Sequence, residues 1–198
     1  MKPETIDSTI PLTASPAIVI SLGGCHLIDT DAPYYFASNC PALVLIPNQN
    51  FIDNNLSIYH VMAWLKSNYS IWSCLKKSGS ANIYDPKVIK NLLIPAFPEF
   101  YTDERITEKI KTILELERKY LGHVNGYLYE HDFFPKDFKQ VCENHNNNVG
   151  ALAFELEIII KELLSIEDNE DTMIIDDLKA KSIFCYDGAK ESTYELMC

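Results

Sequence analysis

The stretch Tyr59 to Pro95, YHVMAWLKSNYSIWSCLKKSGSANIYDPKVIKNLLIP, changes character three times, and the order of those changes decides the fold. Ile58, Met62, Leu65, Tyr69, Trp72 and Leu75 recur three or four apart, which is the period of one helical face. An amphipathic helix is therefore expected from about Asn54, with Asn54 or Asn55 as its cap. The small polar residues of SGSAN, with Gly79, end it. Asp85 and Pro86 then offer a cap and a first-turn proline for a short helix through Asn91. LLIPAFP follows as an extended, strand-like segment, since prolines at 95 and 98 forbid a helix there.

Upstream, Pro3, Pro11 and Pro16 among Ser and Thr predict an irregular lead-in. AIVISL at 17–22, followed by Gly23 and Gly24, reads as a strand and a turn. Tyr34 to Ala37 and Ala42 to Ile46 are two more apolar runs, separated by SNCP and closed by PNQN, which makes three strands, read as antiparallel. Downstream, Thr102 can cap a second long helix carrying Ile106, Ile110, Ile113, Tyr120 and Val124. Val149, Leu152, Leu156, Ile159 and Leu163 mark a third helix, with Pro135 starting a short one between. The two long helices can close antiparallel on each other or on a second chain, so a helix-mediated dimer is one open outcome. IEDNED reads as an acidic turn, and MIIDDLKAKSIFCY as helix and then strand. The fold class is α+β: a β-containing domain over residues 1–100, then a mainly helical region with an acidic tail over 101–198.

Among the 198 residues, 47% are apolar and 23% charged, ordinary proportions for a globular chain long enough for one sizeable core. The net charge of −11 is unevenly placed. Residues 1–100 hold 7 acids and 6 bases, and residues 101–198 hold 21 and 11. No apolar run is long enough to suggest a membrane span, and MKPETIDSTIPLTASP lacks the form of an export signal, so a cytoplasmic protein with no membrane partner is expected. The six cysteines show no CxxC or metal-like spacing and read as reduced.

No residue pattern supports catalysis. Asp31-Ala-Pro-Tyr34 is similar to the target-amine loop of adenine N6 methyltransferases, but Ala32 replaces its first proline and SLGGCH at 21–26 matches a cofactor-binding glycine loop poorly. Glu117-Arg118-Lys119 matches half of a metal-dependent nuclease motif, yet it falls in a helical segment where those side chains diverge. Histidines 26, 60, 123, 131 and 145 offer no zinc spacing, and GxSxG and P-loop motifs are absent. The expectation is a non-catalytic protein with no cofactor and no metal.

Recognition chemistry leaves fainter marks. Lys66, Lys76, Lys77, Lys87 and Lys90 are five of the six bases in the first hundred residues. They suit a phosphate-binding face, or simply the solvated side of a helix and its turn. The turn holding Ser78 and Ser80, with Asn82 and Tyr84 after it, suits phosphate contacts, and Asn48, Gln49 and Asn50 form a polar loop ahead of the first long helix. Both segments also suit plain helix boundaries. The ordered series AWLKSN, SGSAN and LLIP resembles the target-recognition domains of restriction–modification proteins, whose helix and closing strand carry patterns like "LLALLNSKL" and "LPIP". The resemblance runs from Ala32 to about Tyr120. PEFYTDER stands where type I specificity subunits carry "P-x-x-E-Q", which favours the type IIG restriction–methyltransferase branch. It implies a module that binds a sequence in double-stranded DNA and directs a DNA methyltransferase or endonuclease domain or subunit, with Thr102 to Val124 as a spacer or docking helix. The acidic half motivates a rival: an interaction or DNA-mimic module for a basic partner.

Overall fold

The computed structural model describes residues 16–21, 24–28, 42–78, 88, 92, 94, 95, 97–130, 138–183 and 185. It is α+β, and divides into two compact units, Met1–Thr102 and Asp103–Cys198.

The first unit contains strands β1 (Ala17–Ser21), β2 (Gly24–Ile28) and β3 (Ala42–Leu45), in antiparallel order β2-β1-β3. Ala17, Ile18, Val19 and Ile20 are all buried, as expected for a central strand covered on both faces. The second strand corrects the sequence reading. Gly24 belongs to β2, and the register Ser21↔Gly24 makes β1 and β2 a tight hairpin. The strand expected over Tyr34 to Ala37 lies outside the described residues.

Among the described residues, the helices of this unit with defined ranges are α1 (Gln49–Asp53), α2 (Ile58–Lys66), α3 (Asn68–Ser78) and α4 (Pro98–Thr102). The single helix expected from Asn54 is thus two, preceded by a third. Ser67 makes the break. Its backbone is extended, its hydroxyl donates to Trp64 O at 2.7 Å, and its Oγ accepts from Ser70 N at 3.2 Å. One buried serine thereby ends α2 and starts α3. Asn54 and Asn55 cap nothing forward; they close α1. Asn55 takes φ 53°, with Asn55 N donating to Ile52 O and Leu56 N to Phe51 O. These are the two bonds of a Schellman end. α2 packs on α3, β1 and β2.

In the segment read as a short helix and then a strand, Val88 is helical, while Leu92, Ile94 and Pro95 carry no regular structure; the rest of Pro86–Asn91 lies outside the described residues. Pro98 opens α4, because proline is tolerated in the first helical turn. Thr102 ends α4, its hydroxyl donating to Glu99 O at 3.3 Å, and so is not the cap of the long helix. That role falls to Asp103, whose Oδ1 accepts from Arg105 N at 2.9 Å.

The second unit holds α5 (Glu104–Glu130), α6 (Phe138–Leu164) and α7 (Asp168–Ala180). Ion pairs Arg105–Glu162 and Lys109–Glu155, and the stack of Tyr120 on His145, run in opposite numerical order, so α5 and α6 are antiparallel. Ile106, Ile110, Ile113 and Leu114 of α5, and Val149, Ala153, Leu156, Ile159 and Ile160 of α6, are buried. The expected short helix at Pro135 lies outside the described residues. The acidic turn is shorter than expected: Asp168 already begins α7, whose start carries a reciprocal capping box between Glu167 and Glu170. Ile183 and Cys185, where a strand was expected, have no regular structure. Among the described residues no helix is long and apolar enough to cross a membrane.

Candidate nucleic-acid interface

Lys76 and Lys77 occupy the last turn of α3 and are exposed. Lys76 Nζ lies 5.3 Å from the centroid of the half-buried Trp72 ring, a cation–π distance that lays the lysine stem along the helix. Both charges also complement the negative carboxyl end of the α3 dipole, a role that needs no ligand. Beneath them, the Cys74 thiol is buried and pushed above its ordinary pKa by that burial, with the Lys77 charge opposing the shift. Such a thiol is a packing group rather than a nucleophile. Lys66 ends α2 and is half-buried. Ser78 is the final residue of α3. Ser80, Asn82, Tyr84, Lys87 and Lys90 lie outside the described residues.

Gln49 and Asn50 lie in α1, and Asn48 directly precedes it. Asn48 caps α1, its Oδ1 accepting from Phe51 N at 2.8 Å. Gln49 Nε2 donates to Asp53 Oδ1 at 2.8 Å, and Asn54 Nδ2 donates to Asn50 O at 2.7 Å. All three are exposed, and each has a polar group committed within α1. Reading a base edge with Gln49 or the Asn48 carbonyl would first break a local bond.

Two clusters had no sequence expectation. In the first unit, His60 of α2 is buried beside Phe100 and Tyr101, with ring centroids 5.9 Å from each, and Phe97 meets Phe100 edge-on. Burial raises the Tyr101 phenol above its ordinary pKa. In the second unit, Tyr120 stacks on His145 at 4.2 Å and its hydroxyl lies 3.3 Å from Cys142 Sγ. Burial lowers the His145 pKa, opposed by the charge of Glu117. The FPEFY run was a legible aromatic signal, whereas Tyr120 and His145 lie too far apart in sequence to be paired without the hairpin.

Glu117, Arg118 and Lys119 lie in successive positions on α5, as the helical reading requires. Among the described residues no group of three or more His, Cys, Asp or Glu could hold a metal ion. No family model, curated protein or solved structure matches the chain.

Proposed function

We propose that the chain is a non-catalytic DNA-recognition module whose first unit meets the phosphate backbone at the carboxyl end of α3. The observation that carries this reading is the pair of adjacent exposed lysines, Lys76 and Lys77, on one rigid helical turn. Phosphate contacts fix register without reading sequence, so base readout would fall to neighbouring polar side chains, with those of the SGSAN sequence that begins at Ser78 the first candidates. A methylating or cutting domain or subunit would supply the chemistry. The test is selection from a random duplex pool at low salt, followed by affinity against salt concentration. Lys76→Ala with Lys77→Ala should weaken binding across all sequences and reduce the log–log salt slope by about 2, roughly one for each phosphate that is no longer neutralised. An unchanged slope would remove the pair from the interface.

A second reading rests on α7, whose first turn exposes Asp168 and Glu170 next to Glu167. Here the acidic region docks a basic partner or imitates DNA. Duplex DNA would then compete with the chain for that partner, while the chain itself retained none of the pool.

A further inference from the structure

A groove of about 430 Å³ runs between α5 and α6. Its α5 wall is Arg105, Glu108, Lys109 and Thr112, spaced as one helical face, and its α6 wall and floor include Leu152, Glu155, Ile159 and Glu162. Ile158 stands at its rim, 43% exposed, although it belongs to an isoleucine triplet whose other two members are buried. The walls differ in sign. Arg105 and Lys109 make the α5 side net positive, tempered by Glu108, while Glu155 and Glu162 make the α6 side negative. Arg105–Glu162 and Lys109–Glu155 pair across the groove, yet the side chains of Arg105, Glu155 and Glu162 each keep about half their surface in water. Asp103 and Glu162 together hold the Arg105 guanidinium firmly charged.

We infer that this groove is the contact between two copies of the chain, packed about a two-fold axis parallel to the helices. Such an axis lays α5 of one copy over α6 of the other without shifting it along the helix. The basic wall of each copy then faces the acidic wall of its partner, with Arg105 level with Glu162 and Lys109 level with Glu155. A uniformly basic or acidic partner would match one wall and be repelled by the other, whereas a second copy matches both. The facing Ile158 rims lose water, and the two hairpins form a four-helix bundle. The charged strip spans Leu152 to Glu162 on α6, about 15 Å of helix, so the dimer is small, concentration-dependent and weakened by salt. This contact is independent of whether the first unit binds DNA.

Sedimentation equilibrium of the full chain over a range of concentrations tests it. Twice the chain mass is expected at about 0.05 M salt, falling toward the monomer near about 0.5 M. Arg105→Glu with Lys109→Glu leaves both walls acidic, and Glu155→Lys with Glu162→Lys leaves both basic. Each variant alone should be monomeric, and an equimolar mixture should recover the dimer, since each wall again meets its opposite. Recovery separates the interface from the broken pairs inside each chain, which mixing cannot restore. Ile158→Asp, at an exposed position that folding tolerates, should also abolish the dimer. A wild type monomeric at all concentrations, a dimer that survives Ile158→Asp, or variants that fail to recover on mixing would each overturn the proposal.

Discussion

Helix α2 in the first unit and helix α5 in the second solve opposite problems. In α2, seven of nine residues are buried: Ile58, His60, Val61, Met62, Ala63, Trp64 and Leu65. In α5, the buried residues between Glu104 and Tyr120 are Ile106, Ile110, Ile113 and Leu114, one stripe on a helix otherwise lined with Glu, Lys and Arg. A helix covered on every side depends on interior packing, and a buried polar residue at its end must be satisfied locally, as Ser67 is just after α2. A helix covered on one side depends on its partner helix and leaves a long face for other contacts. The first unit should therefore be sensitive to lost volume, and the second to changes at the seam and at the helix ends.

The largest expected effect follows from Phe100, which is 0% exposed and meets His60, Phe97 and Tyr101 ring to ring. Phe100→Ala should cost about 3–5 kcal/mol, a large share of the stability of any domain, because the surrounding rings collapse only partly into the space. Denaturant unfolding followed by Trp64 and Trp72 fluorescence would read it. A loss below about 1 kcal/mol would mean that the first unit is not volume-limited, and the contrast between the units would fail.

A smaller effect is expected at the seam of the second unit. His145 lies flat against Tyr120, and its folded pKa is below the ordinary value of 6.5, chiefly through burial. The unfolded chain therefore binds the proton more tightly, so this group's stabilisation is complete above pH 6.5 and is lost as pH falls through the lower folded value. His145→Phe keeps a stacked ring without a titration. Between about pH 7.5 and about pH 5.5 the melting temperature of the wild type should fall more than that of the variant. Parallel curves would show that the stack is indifferent to charge.

The legibility of this fold tracks how strongly each element is periodic. The stripes of α5 and α6 were readable because burial of one face leaves a repeat in the sequence, and the central strand AIVIS because burial of both faces leaves a short continuous apolar run. The break between α2 and α3 was not, because Ser67 interrupts the chain without interrupting the spacing of Leu65, Tyr69 and Trp72. β2 is five residues with one glycine, too short to stand out beside the Gly-Gly turn signal. At the candidate interface, Lys76 and Lys77 lie together at the end of a helix, as charge clustering suggested they could. For the group Asn48, Gln49 and Asn50 the sequence left a polar loop and a helix boundary both open, because Asn signals a cap as readily as a loop, and here Asn48 caps one short helix.

Helix ends hid for a related reason, and they supply the smallest and most diagnostic prediction. The three non-glycine residues with positive φ among those described are Asn55, Ser165 and Ser182, which follow the last turns of α1, α6 and α7. Each is followed by an apolar residue whose N–H reaches back five positions: Leu56 to Phe51, Ile166 to Lys161 and Ile183 to Leu178. All three ends are Schellman motifs, built without the glycine that normally announces one. A serine in the left-handed region bears a Cβ clash that asparagine partly offsets through its short polar side chain. Ser165→Gly should therefore stabilise the second unit by about 0.5–1 kcal/mol, the relief of that clash less the added freedom of glycine in the unfolded chain. Asn55→Gly should gain less in the first unit. Thermal melts of the two variants would read the difference, and an equal or larger gain at Asn55 would show that residue type at the helix end does not separate the two units. A loss at Ser165 would instead mean that its side chain holds the turn between α6 and α7, where Lys161 already bridges to Asp168 and Asp171.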